Sequence, residues 1–348
     1  MKLQSISSYV ISNSLRSVVA KAQAELIKAQ YEATSGMVYD KGLSLGGHTG
    51  TTISLRKEYD RLNALTETNG VVEQRMQASQ LTMGKLVESA QTFLSNLTGL
   101  RASADGSSVL AQSAKTSLLT GIDLINTNLG GEYVFAGTNT DVKPMTGYET
   151  AGAGRDALRQ AFQNHFGFPA NDPQAANITA AEMEAFADGP LADEFSAANW
   201  TANWSSASDT VIKSRISPTE LIETSTSANN EAFRKLTMSF AMIAEFADIG
   251  LNDSAYTALV DKAIGRVAEA TSAISDQQSI LGNAEARTLN ANTRMKAQLN
   301  ILNTSVLNME AVDPYEATTR VENLIKQIET SYALTARLQN LSLLNYLR

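Results

Sequence analysis

The stretch VDPYEATTRVENLIKQIETSYALTARLQNLSLLNYLR, Val312 to Arg348, decides how the rest of the chain is read. Asp313 is placed to cap free backbone N–H groups, and Pro314 suits a first helical turn, where its missing N–H costs nothing. No glycine or proline follows as far as Leu347, so the spacing predicts a helix of about nine turns. Its apolar residues do not keep to one side. Val321, Ile325, Ile328 and Tyr332 fall on one face, whereas Leu334, Leu338 and Leu341 lie around the cylinder. A helix resting on a single surface carries a single stripe. This one needs neighbours on several sides, either within its own domain or from other molecules.

Composition agrees with long helices. Of 348 residues, 43% are hydrophobic but only 6% aromatic, with 6 prolines and no cysteine. Small and amide side chains fill the difference, which favours helices with small-residue seams over a thick globular core. The formal net charge is −8 with both signs interspersed, so there is no basic footprint for nucleic acid. No long apolar run is present to cross a membrane. The first residues, MKLQSISSYVISNSLRSVVAKAQ, are broken by Ser and Asn, and read as no cleavable signal peptide. The absence of cysteine removes disulfides and thiol chemistry. His48 and His165 are far apart and read as surface histidines.

Working back along the chain, residues 4–34 are predicted to form one helix, with Ile11, Leu15, Val18, Ala22, Leu26, Ala29 and Ala33 at three- and four-residue spacing. The glycine-rich run at 34–50 reads as a loop or extended connector. From about Thr51 to Arg101 a second helix carries a strict four–three alternation through Val72, Met76, Ser79, Met83, Leu86, Ala90, Phe93, Leu97 and Leu100, a coiled-coil-like seam. A third helix runs to Leu129, with Gly130-Gly131 as its stop. Tyr133 to Phe135 favour strand. Residues 145–225 change character: they hold both tryptophans (Trp200, Trp204), which read as core rather than a sugar platform, and a pair of strands around Ser217-Pro218. Helix returns at about Ala228 and ends at Gly250. Asn252 or Asp253 then caps a helix of roughly 50 residues, whose seam runs Val260, Ala263, Val267, Ala270, Ile274, Gln277, Leu281, Ala284, Thr288, Ala291, Met295, Leu302 and Met309.

The layout predicts a mainly α fold: a long antiparallel helical bundle built from both chain ends, with a smaller mixed α/β insert. The expected domains are residues 1–40 with 312–348, residues 41–144 with 228–311, and the insert 145–227. Two successive bundles flanking a middle domain are the alternative packing. Among motifs that carry chemistry, HExxH, the phosphate loop, GxSxG and a strand-framed GxGxxG are all missing, and no cofactor or metal site is expected. The chain reads as a non-enzyme.

Three stretches resemble the flagellin superfamily, and within it the hook-associated junction proteins. Thr34-Ser35-Gly36 is similar to the family's Ser-Ser-Gly. Gly131 to Thr138 (GEYVFAGT) resembles the Gly-x-Tyr-x-Phe-x-Gly run that follows the bundle helices, and Leu338 to Leu347 (LQNLSLLNYL) resembles the junction proteins' terminus. The run that usually follows Ser-Gly is replaced by Met37 to Gly42, and Arg348 after the last Leu is flagellin-like. The resemblance implies an extracellular structural subunit of the flagellum at the hook–filament junction, exported by the flagellar type III apparatus. Its implied partners are other copies in a ring, the other junction protein, flagellin and an export chaperone. Candidate assembly contacts are Ile11, Leu15, Val18 and Leu26 at one end, with Val321, Leu324, Ile325, Ile328, Tyr332, Leu334, Leu338, Leu341 and Leu344 at the other. A filament subunit is the alternative. A soluble signalling coiled coil fits the seams but not the glycine-rich connector, and an enzyme housed in the insert lacks its metal motif.

Overall fold

A computed structural model describes residues 2–102, 106–148 and 152–346, with side chains described from 10 to 337 across the same segments. The chain is mainly helical. It divides into two compact units: Met1–Asn63 with Lys296–Arg348, and Ala64–Met295.

The first unit holds α1 (Lys2–Ser35), the short α2 (Lys41–Leu45), the start of α3 (Thr49–Leu100), the end of α10 (Asp253–Glu310) and α11 (Pro314–Tyr346). Asp313 caps α11 as its position predicts, its Oδ1 accepting the Tyr315 N–H at 2.8 Å. The 34–50 run differs from the loop expected of it. Asp40 accepts the Leu43 N–H at 3.0 Å and starts α2, and a 3-10 turn at Gly46–His48 leads into α3. A capping aspartate outweighs the glycines locally, because each glycine costs only about 1 kcal/mol in a helix.

α1 and α11 pack side by side and antiparallel. Glu32 lies opposite Arg320, and Gln23 opposite Tyr332. The residues turned from solvent keep a four–three rhythm on both helices: Leu15, Val19, Ala22, Leu26 and Ala29 on α1, with Ala317, Val321, Leu324, Ile328 and Ser331 on α11. That is a two-helix coiled-coil seam. Val19, not Val18, fills the seam position.

In the second unit, the expected seams of α3 and α10 are buried. Met76, Ser79, Met83, Leu86, Ala90, Phe93 and Leu97 of α3 are fully enclosed, as are Val260, Ala263, Val267, Ala270 and Ile274 of α10. Gln80 Nε2 donates to the Gln278 carbonyl across the pair at 2.7 Å. α4 (Ser107–Ile125) and α9 (Glu231–Phe246) complete the bundle, with Phe93 edge-on to Phe240 at 5.0 Å. Asn252 is the α10 cap, its Oδ1 accepting the Ser254 and Ala255 N–H groups.

Two strand pairs are present among the described residues. The first, β1 (Asn128–Leu129) with β2 (Glu132–Tyr133), corrects the sequence expectation: α4 stops at Ile125, and Gly130-Gly131 form a hairpin turn rather than a helix stop. Both glycines have positive φ, 64° and 97°, the pair of conformations a type I′ hairpin needs. The second pair, β3 (Lys213–Ser217) with β4 (Glu220–Glu223), turns at Ser217-Pro218 as the spacing predicts. Between the two pairs lie α5 (Ala153–Phe166), α6 (Ala180–Asp188), α7 (Pro190–Asp193) and α8 (Ala197–Asn203). Trp200 and Trp204 stack at 5.8 Å and are buried, so they serve as core. Phe162 stacks on Phe246 of α9 at 5.2 Å, joining these short helices to the bundle's core. The buried Glu245 carboxylate fixes the same seam, accepting from Tyr148 Oη at 2.7 Å, Arg155 Nε at 2.6 Å and Arg159 Nε at 2.9 Å.

Candidate assembly surface on the terminal helices

A two-helix pair has one seam, so every other apolar residue on it faces water. On α1, Val10, Ala20, Ala24, Ile27 and Tyr31 form a second stripe at heptad spacing, on the back of the seam with α11. Ile27 is 61% exposed. Ile11 and Val18 flank the seam and are exposed as well. On α11, Ile325 and Leu334 are exposed on opposite sides of the seam, Tyr332 is half-exposed with its hydroxyl accepting from Gln23 Nε2 of α1 at 3.0 Å, and Tyr315 is 83% exposed. Singly exposed apolar residues are ordinary, but an aligned stripe on α1, with exposed apolar residues on several sides of α11, makes this pair the candidate assembly surface.

The predicted contact residues therefore fall into two sets. Leu15, Leu26, Val321, Leu324 and Ile328 sit in the seam between α1 and α11. Ile11, Val18, Ile325 and Leu334 are exposed beside the seam, and Tyr332, also exposed, reaches Gln23 of α1 with its hydroxyl. The side chains of Leu338, Leu341 and Leu344 lie outside the described residues. Sequence reasoning missed the outer stripe of α1, whose small residues Ala20 and Ala24 separate its large ones and hide the period.

It also missed how this pair is tied down. Where α1 ends, Gly36 at φ 69° turns the chain, and Met37 bridges antiparallel to Ala311, with Val38 N–H donating to the Glu310 carbonyl and Val312 N–H to the Gly36 carbonyl, both at 2.9 Å. Two carboxylates flank this bridge. Glu32 accepts from Arg320 Nη1 at 2.9 Å and from the Tyr39 N–H at 3.2 Å. Glu310, 1% exposed in its side chain, holds Lys41 Nζ at 2.9 Å and Arg56 Nε at 3.0 Å. Burial alone pushes the Glu310 carboxyl up, yet the hydrogen bonds from Arg56 and Lys41 outweigh it and hold it below the usual range.

That direction fixes a pH dependence. A carboxyl whose folded pKa is depressed adds stability above its unfolded value, about 4.3 for Glu, and that stability is lost as pH falls through the folded value. Glu310→Gln removes the charge while keeping the shape. The variant is expected to lower the first unit's stability by about 1–2 kcal/mol at neutral pH, since both cations stay partly solvated. The loss fades below about pH 4. Thermal denaturation of both proteins across pH 3–7 checks this, and a pH-independent gap refutes it.

No helix among the described residues is long and apolar enough to cross a membrane. Residues 6–140 match the bacterial flagellin N-terminal helical region, and residues 264–347 match the bacterial flagellin C-terminal helical region. No curated protein sequence matches the chain. Among solved structures, one from Vibrio parahaemolyticus, provisionally described as a flagellar hook-associated protein, shares the fold with a TM-score of 0.52 at 7% identity. The likeness covers 76% of this chain and 97% of that one. The flagellin matches reach both members of the α1–α11 pair and both long helices, so the chain belongs to the flagellin superfamily, as a structural subunit of the bacterial flagellum.

Proposed function

We propose that this subunit is the adaptor at the hook–filament junction, in the role of hook-associated protein 3. The observation that carries assembly is the uncovered apolar stripe on α1 together with the exposed apolar residues around α11, whose burial needs neighbouring subunits. At about 25 cal/mol per Å², covering these residues offsets the ordering entropy of the terminal segments, about 1–2 kcal/mol per residue for the backbone alone. Copies of the chain in a ring supply lateral neighbours, and the other junction protein and flagellin supply the axial ones. An export chaperone covers the termini before assembly, and the chain leaves the cell through the flagellar type III apparatus.

The choice of junction over filament rests on GEYVFAGT at 131–138 and LQNLSLLNYL at 338–347, both similar to junction proteins. The second reading, a flagellin, is favoured by Arg348 beyond the last leucine. A deletion strain separates them. For a junction adaptor, hooks form and flagellin is lost to the medium. Filaments that persist with altered shape identify a flagellin instead.

A further inference from the structure

The pocket at the C-terminal end of α5 lies at residues 165–182, between the stretches that match flagellin, and flagellar assembly does not account for it. We propose that it binds a single neutral sugar ring. Its volume is about 240 Å³, below the roughly 300–1,000 Å³ of sites for drug-sized ligands and suited to one six-membered ring.

The local sequence builds it from three elements. Gly167, at φ 82°, ends α5 in the left-handed conformation and lets Phe166 and Phe168 both line the cavity, their centroids 6.0 Å apart. Phe166 packs on Phe162 and Phe186 of the buried aromatic cluster, at 4.6 and 5.4 Å, which fixes its ring. Ile178 closes the apolar floor. The opposite wall is a 3-10 turn, Pro173–Asn177, started by Asp172. Asn252 holds the end of this turn from outside, its Nδ2 donating to the Ala176 and Ile178 carbonyls at 2.9 and 2.6 Å. The backbone is thus set before any ligand arrives, which reduces the ordering cost of binding.

The polar rim has spare capacity. Gln174 and Asn177 line the pocket, and neither side-chain amide has a hydrogen-bond partner among the described residues. Glu182 commits Oε2 to the Thr179 N–H and hydroxyl, at 2.9 and 2.7 Å, leaving Oε1 free. Those bonds hold its carboxyl below the usual range, so it stays an acceptor. His165 also lines the pocket.

Ligand class follows from what is on the wall and what is not. No lysine or arginine lines the pocket, so a phosphate or carboxylate would meet Glu182 without a counter-charge. The rim offers acceptors and amides to hydroxyl groups, and the rings of Phe166 and Phe168 give an apolar wall for the C–H groups of a pyranose. An apolar floor with convergent hydroxyl-binding groups is the pattern of a sugar subsite. Since the rim residues are exposed, binding in the millimolar range is expected.

Saturation-transfer NMR on the full-length protein tests this, using the methyl glycosides of glucose, galactose and N-acetylglucosamine. Tetramethylammonium serves as a cationic control, because an aromatic wall beside a carboxylate also suits a cation. Transfer to at least one glycoside is expected, falling about tenfold in affinity in a Gln174→Ala/Asn177→Ala variant. That variant should melt with the parent protein, since neither side chain is bonded to the fold; Phe168→Ala should weaken the same signal. Absence of transfer to all three sugars overturns the proposal. So does transfer unchanged in the double variant, or a response to tetramethylammonium alone.

Discussion

Removal of residues 330–348 is expected to leave a soluble monomer whose 64–295 unit is intact but which, on the proposed role, cannot complete the junction. The antiparallel pairing of α1 and α11 sets this result. Tyr332 lies opposite Gln23, so the truncation strips the partner from the N-terminal half of α1, including Leu15 and Val19. An isolated helix of that length, with Ser and Asn throughout, is marginal in water. The freed half of α1 should therefore melt, reducing helical circular dichroism by more than the 19 residues removed, while the core around Phe93 and Phe240 keeps its cooperative transition. Light scattering should report a monomer, and cells carrying the variant should make hooks without filaments. Filament growth supported by the truncated chain would refute the role given to these helices.

The second large effect is expected from a single methyl group. Gly137 closes the GEYVFAG run at φ 61°, and a Cβ there would collide with the backbone carbonyls of Ser208 and Thr210, the latter at 2.7 Å. The two segments are laced together on either side, Thr138 N–H to the Thr210 carbonyl and Ser208 N–H to the Ala136 carbonyl, both at 3.0 Å. Backbone cannot step aside as a side-chain tip can. Gly137→Ala combines left-handed strain with a steric clash, so a loss of about 3 kcal/mol or more is expected. For a unit of this size that lowers the melting point by about 6–12 °C. Gly70→Ala is the contrasting case: it sits within α3 with open space around its Cβ position, and should be neutral or stabilising by up to about 1 kcal/mol. Equal melting points for the two variants would contradict this account.

Gly137 also shows where sequence reading stops. Its place in the motif was visible, but the reason for glycine there was not, because the carbonyls it approaches come some 70 residues later. The long seams were legible, since Met76 to Leu97 and Val260 to Ile274 repeat locally and burial follows the repeat. At Gly130-Gly131 two glycines fit both a helix stop and a hairpin turn, and only the pairing of Leu129 with Glu132 separates them. The Glu310 clasp was invisible for another reason. Arg56 lies 254 positions away, and nothing near Glu310 distinguishes it from a solvated helix carboxylate. On α1, the spacing predicts Val18 in the seam where Val19 is buried, a one-residue slip that two adjacent valines permit. The buried Asn69, whose amide donates to both Asn292 and the Ile216 carbonyl, carries no local signal, since its partners lie 223 and 147 positions away.

That last contact bears on the order in which the molecule forms. Pairing α1 with α11 joins residues about 290–310 apart in sequence, as Glu32–Arg320 and Gln23–Tyr332 show. Closing so long a chain is slow, because the entropy of the loop is lost before the contact is gained. Once the 64–295 unit folds, Asn69 and Asn292 are already together, and the segment left to close is only the two ends beyond them. Kinetics thus reinforce topology. The terminal pair is expected to be the last element to form and the first to open, and in amide hydrogen exchange it should be the least protected long helix pair of the chain, which on the proposed assembly keeps both ends available for a neighbour.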